Sequence, residues 1–251
     1  MMSTIAERRA VFRELHRSGC FAIPNPWDGG SAVRLAEAGF KALASTSAGA
    51  AWALGRADGE MSVEEVLEHL RFLCSVTDLP VNADFEAGFA DDPDGVARNV
   101  ARCVETGVAG LSIEDGHAGM LYPTDIAIER VRAARRAIDY TGENVVLVGR
   151  CEAYLMDSLN LDEVIKRLMA YSEAGADCLY APGLRSLDAV ARVVSAVDKP
   201  VNANLTGTGL SVAEMASVGV RRVSVGGALA RATYSALDTF VERLKTEGRL
   251  P

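Results

Sequence analysis

Four times the chain writes one short phrase: the end of an apolar helix, a glycine, and then an apolar strand. The copies are AEAGFKALAST, VETGVAGLSIED, SEAGADCLYAPG and ASVGVRRVSVGG. Gly39, Gly107, Gly175 and Gly219 hold the junctions. A glycine in this place ends a helix in the left-handed region, where a β-carbon is disfavoured. The residues that follow are apolar and often β-branched, as a strand buried on both faces requires. A strand that repeatedly follows a helix implies a parallel sheet, because parallel neighbours need a crossover between them.

Extended along the chain, the same pattern predicts strands at 21–25, 42–46, 81–85, 110–115, 145–152, 178–183, 201–205 and 222–227. Eight strands alternating with helices predict an α/β fold, a single (β/α)8 TIM barrel with an N-terminal helix, in one domain over 1–251. No G-x-G-x-x-G turn supports the competing open sheet with a dinucleotide site. Ser62 with Glu65 predicts a capping box, and Asp94 and Asp125 are expected to open the next two long helices. Arg130, Arg132, Arg135 and Arg136 are expected on a solvated face or a subunit contact.

Charge narrows the partners. A net charge of −8 and a pI near 5.0 argue against nucleic acid or an anionic membrane surface. No run of roughly 18 apolar residues predicts a membrane span. The N-terminal stretch has charges throughout and no apolar centre, so a secretory signal is not expected. Cys20, Cys74, Cys103, Cys151 and Cys178 are scattered and odd in number, which suits reduced, buried thiols and a cytoplasmic location.

Alternation then sorts the polar residues. In a barrel every second strand residue points inward, and chemistry gathers at the C-terminal strand ends. Val81, Ala83 and Phe85 suit the helix side of the third strand, so Asn82, Asp84 and Glu86 face inward. By the same rule Ser45 and Ser47, Ser112 and Glu114, Arg150 and Glu152, and Asn202 and Asn204 share inner faces. Asp84, Glu86 and Glu114 would crowd one side of the mouth. Crowded carboxylates repel unless one is protonated or a cation lies between them. An oxygen-only set favours Mg²⁺; pairing with Arg150 is the alternative. His117 is the only histidine on a catalytic-face loop and is a candidate proton carrier. PVNA occurs twice, followed by Asp84 in one copy and Asn204 in the other. Four βα units apart, the two should face each other across the barrel.

The motifs NADFEAG, SIEDG, VGRCEAY and VNAN, with PNPWDGGSAVRLAEAGFKALASTSAG and GRADGEMS ahead of them, resemble the phosphoenolpyruvate mutase/isocitrate lyase superfamily. The resemblance runs from about Phe21 to Ala230. It implies a Mg²⁺ cofactor, with Mn²⁺ as a substitute, and a small carboxylate substrate. Asp84 resembles the direct metal ligand, and Asp58, Glu86 and Glu114 resemble the carboxylates that hold the metal's waters. Ser45, Thr46 and Ser47 resemble the loop that binds the substrate carboxylate. Arg150 resembles the arginine at the substrate, Asn204 with Asn202 the polar face opposite, and Trp27 with Asp28 a Trp-Asp pair after the first strand. Catalysis would fall to Arg150, Glu114 and His117. A homo-oligomer, dimer or tetramer, is implied.

The resemblance also sets limits. The family's lyases carry a K-K-C-G-H loop after the fourth strand, but here that region reads EDGHAGMLYPTDIAIERV. A Mg²⁺-dependent lyase or decarboxylase of a 2-oxo or 2-hydroxy (di)carboxylate, acting through a pyruvate- or oxalate-like enolate, is therefore expected over an isocitrate lyase. Hydrolysis or mutation of the P–C bond of phosphonopyruvate is the alternative, although the mutase loop is missing too. A barrel binding phosphate at NLTGTG and VGGAL, or a non-catalytic keto-acid binder, are further alternatives.

Overall fold

The computed structural model describes residues 3–156 and 160–249. Helix α1 (Ile5–Leu15) opens at Thr4, whose hydroxyl accepts from the Glu7 N–H while the Glu7 carboxylate accepts from the Thr4 N–H at 2.7 Å. Its fully buried Phe12 packs with Phe21, Ile23, Val146, Val148 and Cys178 and so plugs the N-terminal end of the barrel.

The barrel strands are β1 (Phe21–Ile23), β2 (Leu43–Ala44), β3 (Val81–Asp84), β4 (Gly110–Glu114), β7 (Val146–Arg150), β8 (Cys178–Tyr180), β9 (Val201–Asn204) and β10 (Arg222–Ser224). A small hairpin, β5 (Gly116–His117) with β6 (Met120–Leu121), follows β4. All barrel pairs are parallel, in the order β1-β10-β9-β8-β7-β4-β3-β2. At the β1/β2 seam the Ala44 N–H donates to the Pro24 carbonyl at 3.0 Å. The fold is the expected (β/α)8 barrel. Each predicted strand is present but shorter, because the ladder ends where the chain bends into its loop.

The crossovers are α2 (Gly29–Glu37), α3 (Ser47–Ala53), α4 (Val63–Val76), α5 (Pro93–Val104), α6 (Thr124–Thr141), α7 (Leu161–Glu173), α8 (Leu187–Ala196), α9 (Val212–Ser217) and α10 (Ala228–Glu247). The four junction glycines have φ of 86°, 94°, 106° and 91°. Between strands and helices lies the main core, with Val81, Ala83, Phe85, Leu111, Ile113, Leu147, Leu179 and Val201 on the helix side, as alternation requires. Each fully buried Leu, Ile or Phe there stabilises the fold by about 1.5–3 kcal/mol. The inner face is narrower. A β-carbon on Gly110 would lie 2.6 Å from Phe12 Cε1 and 2.7 Å from Asn82 Oδ1, so only glycine fits beside the plug.

Three expectations need correction. Ser62 and Glu65 do form the capping box of α4, but α5 is capped by Asp92 with Pro93 in its first turn, not opened by Asp94. Helix α6 starts at Thr124, after Pro123. Arg130 is not on a solvated face; it is fully buried, because it shares the face of Ala127, Val131 and Ala134.

Candidate active site

A cavity of about 380 Å³ opens at the C-terminal strand ends. Its two sides differ sharply in chemistry.

One side is acidic and turns on Arg150, at the end of β7. Its Nη1 lies 3.1 Å from Asp84 Oδ1 and 2.9 Å from Glu114 Oε1, and its Nε 2.5 Å from Glu152 Oε1. Strand register brings these together: Glu114 pairs with Arg150, and Asp84 with Ser112 next to it. The other oxygen of Asp84 accepts from the Ser47 N–H at 3.0 Å and the Ser47 hydroxyl at 3.1 Å. Asp58 joins at the rim through Ser47.

Glu114, Glu86 and Asp58 hold their protons more tightly than usual. Burial raises Glu114 well above the carboxylate range, with Arg150 opposing it. Burial, then Asp84 and Asp58, push Glu86 up to about 7. Asp58 is raised by partial burial and by Asp84. Burial works against the charge of Arg150, but Glu114, Glu152 and Asp84 more than restore it. One guanidinium thus faces five carboxylates, and the surplus is relieved by protonation or by another cation. Among the described residues no group of three or more His, Cys, Asp or Glu side chains is arranged to hold a metal ion. A small, hard cation that takes one carboxylate directly and keeps several of its waters would not require such a group.

Ser45, Thr46 and Ser47 line the cavity beside Asp84. The Ser45 hydroxyl accepts from the Asp84 N–H at 2.8 Å, and the Thr46 hydroxyl caps α3 by accepting from Gly49. Trp27 does not line the cavity: its β-carbon backs onto Gly49, one layer away. Trp52 on α3 lines it instead. Nothing in the sequence distinguished the two tryptophans.

The other side carries no carboxylate. Tyr180, Asn202, Asn204, Ser224 and Arg222 line it, on β8, β9 and β10. The Asn204 amide oxygen accepts from the Thr206 N–H at 2.7 Å, so its NH₂ donates to the Tyr180 hydroxyl at 3.1 Å. Arg222, buried at the floor, donates from Nε to Asn202 Oδ1 at 3.0 Å and from Nη1 to Asn82 Oδ1 at 3.2 Å. Both PVNA asparagines therefore serve one arginine. Asn202 in turn donates to Ser224 Oγ at 3.1 Å. Burial raises the Tyr180 phenol, while Arg150, Asn204 and Ser224 act to lower it.

His117 lies on the hairpin and lines a neighbouring cavity of about 370 Å³ with Glu86, Asp91 and Tyr122, not the main one. Glu86 and Phe89 hold left-handed backbones, φ 45° and 55°, that ordinary residues adopt only under constraint. Arg130 supplies the constraint. It donates to the carbonyls of Ala87, Ala90 and Asp91 and lies 4.0 Å over the Tyr122 ring. Asp115 was also missed by sequence reasoning. It anchors the loops by accepting from the Glu152 N–H at 2.7 Å, the Tyr171 hydroxyl at 2.6 Å and Arg167 at 3.1 Å.

Known proteins share this architecture. A crystal structure from Burkholderia cenocepacia J2315, provisionally described as a lyase/mutase, superposes with TM-score 0.95 at 44% identity, covering 98% of this chain and 91% of that one. Oxaloacetate acetylhydrolase, solved with its product oxalate, gives TM-score 0.91 at 27% identity over 99% of this chain and 90% of its own. The 2-methylisocitrate lyase of Escherichia coli (strain K12) is 33% identical over 180 residues, 67% of this chain and 60% of that enzyme. The family model for phosphoenolpyruvate phosphomutase matches residues 12–245. With that match spanning nearly the whole barrel, the chain belongs to the phosphoenolpyruvate mutase/isocitrate lyase superfamily, a group of carbon–carbon lyases and mutases.

Proposed function

We propose that the protein is a Mg²⁺-dependent lyase or decarboxylase of a 2-oxo or 2-hydroxy (di)carboxylate, acting through a pyruvate- or oxalate-like enolate. The observation that carries this is the five-carboxylate cluster around Arg150, which is short of positive charge and sits opposite a wall that, among the described residues, has no carboxylate. Asp84 would hold the ion directly, and Asp58, Glu86 and Glu114 would hold its waters; Mn²⁺ would substitute. When bound, the ion supplies positive charge where two adjacent substrate oxygens become negative.

The chain's own residues do the rest. Arg150, released from Asp84, offers a planar donor fork to the anionic side of the substrate. Ser45, Thr46 and Ser47 offer hydroxyls to its carboxylate. Asn204 faces it from the opposite wall. His117, one cavity away beside Glu86, acts on the Glu86 side of the cluster rather than on the substrate. The oxalate in the related acetylhydrolase is a small dicarboxylate of the class proposed here.

Helix α10 supports the oligomer. Only Ala230 of its 20 residues is buried, and Leu237, Phe240, Val241 and Leu244 form an exposed apolar stripe at helical spacing. A second copy of the chain would cover it; Phe240→Glu should then lower the mass measured by light scattering to that of one chain. The free, mostly buried cysteines suit a reducing, cytoplasmic setting.

The activity test is pyruvate release from oxaloacetate and from 2-hydroxy diacids with Mg²⁺, and it should vanish with EDTA and in Asp84→Ala. Activity that survives both treatments contradicts the metal assignment. Phosphate release from phosphonopyruvate would transfer the proposal to P–C chemistry.

A further inference from the structure

Cleavage next to a carboxylate leaves an electron pair that must end as a C–H bond, so the pocket needs a proton donor. Cys151, in the GRCEAY motif, is fully buried and lines neither the main cavity nor its neighbour. His117 lines the neighbouring cavity. Among the described residues lining the main cavity there is no histidine, cysteine or lysine, and Tyr180 is the only tyrosine.

The hydrogen bonds around Tyr180 all run one way. Thr206 fixes the Asn204 amide so that its NH₂ donates to the phenol oxygen. Arg222 fixes the Asn202 amide, whose NH₂ donates to Ser224 Oγ. Ser224 Oγ in turn donates to the Ala203 carbonyl at 3.4 Å. The chain begins at a buried guanidinium that makes no ion pair with a carboxylate among the described residues. A second guanidinium, Arg150, lies 5.2 Å from the centre of the Tyr180 ring. The phenol oxygen thus accepts from a fixed amide, and its own proton is left to face the cavity. A fixed donor and a nearby cation are what a phenolate needs.

We propose that Tyr180 is the general acid of this site, delivering its proton to the enolate carbon while the Asn204 amide and the Arg150 charge stabilise the phenolate left behind. This rests on the enolate chemistry proposed above. In the step, the enolate C=C pair forms the new C–H bond with the Tyr180 proton, the carbonyl C=O re-forms, and the O–H pair stays on the phenolate. Water at the mouth then returns a proton to the phenolate. For a 2-hydroxy substrate, the hydroxyl proton lost on cleavage balances it.

The test follows exchange of the C3 protons of pyruvate for deuterium by NMR with Mg²⁺, alongside Mg²⁺-dependent oxalate binding by thermal shift. Tyr180→Phe should bind oxalate as the native protein does yet exchange at least about 100-fold more slowly. Asn204→Leu, which keeps the phenol and loses its donor, should fall about tenfold, and it guards against misfolding of the first variant. Exchange in Tyr180→Phe within about threefold of native, while Asp84→Ala abolishes it, overturns Tyr180 and leaves the metal reading standing. Exchange that persists in Asp84→Ala but is lost in Tyr180→Phe supports Tyr180 and overturns the metal reading. Mg²⁺-dependent oxalate binding without any exchange in the native protein overturns Tyr180 and the enolate chemistry and leaves the metal reading standing.

Discussion

Each wall of the cavity is built around one buried arginine, and the two arginines have opposite company. Arg150 is ringed by Asp84, Glu114 and Glu152; Arg222 is held by the amide oxygens of Asn82 and Asn202. A guanidinium among carboxylates is a brake on acidic charge and gives way when a cation arrives. A guanidinium among amides has no anion to lose, and it polarises whatever accepts along its chain. The same side chain therefore marks the wall proposed to hold the metal on one side and the wall proposed to handle the proton on the other.

The comparison is broken most severely by exchanging the residues that follow the two PVNA phrases. Asp84→Asn should lower Mg²⁺-dependent turnover by about three orders of magnitude and abolish the Mg²⁺-induced rise in Tm. Asn204→Asp should keep that rise, because it leaves the metal wall intact, and should lower turnover by about 100-fold through loss of the donor to Tyr180.

Stability separates the two arginines. Arg150→Met leaves three largely buried carboxylates without their cation and should cost about 3–5 kcal/mol in urea unfolding without Mg²⁺. Part of that loss should return when Mg²⁺ is added. Arg222→Met leaves only two amide oxygens without a donor and should cost about 1–3 kcal/mol, with no Mg²⁺ dependence.

His16 tests the floor beneath Arg222. It is buried beside Phe12 and Phe21, and burial, then Arg222, lower its pKa to about 4 from the ordinary 6.5. The unfolded chain therefore takes up the proton first as pH falls. The contribution of neutral His16 is fully present above pH 6.5 and is lost as pH drops through 4, a total of roughly 3 kcal/mol. Urea unfolding of His16→Gln should show a correspondingly flatter decline over that window.

Much of this was legible in the sequence. The four helix-glycine-strand phrases place strands correctly because their signal is local: a left-handed cap and a β-branched run. Period-two alternation turned Asp84, Glu114, Arg150, Asn202 and Asn204 inward, as the barrel does. What it could not show was pairing across the interior. Arg222 stands in VRRVSVGG, where two arginines at a strand start look solvated, and only the closed barrel brings Asn82 and Asn202 to it. Arg130 was readable in principle, since it falls on the apolar face of its helix, but its neighbours Arg132, Arg135 and Arg136 masked it. Trp27 and Trp52 differ only in which layer they occupy, which is set by the packing of Gly49 rather than by any local pattern. Tyr180 was on the inward register of CLYAPG; its role depends on a donor from the neighbouring strand.

The central claim is that the acidic wall holds a divalent cation that completes an anion-binding pocket. Calorimetric titration of oxalate into the protein, with and without Mg²⁺, tests it directly. Binding that needs Mg²⁺ and disappears in Asp84→Ala is the predicted result. Oxalate binding of equal strength without Mg²⁺, or retained in Asp84→Ala, would contradict it.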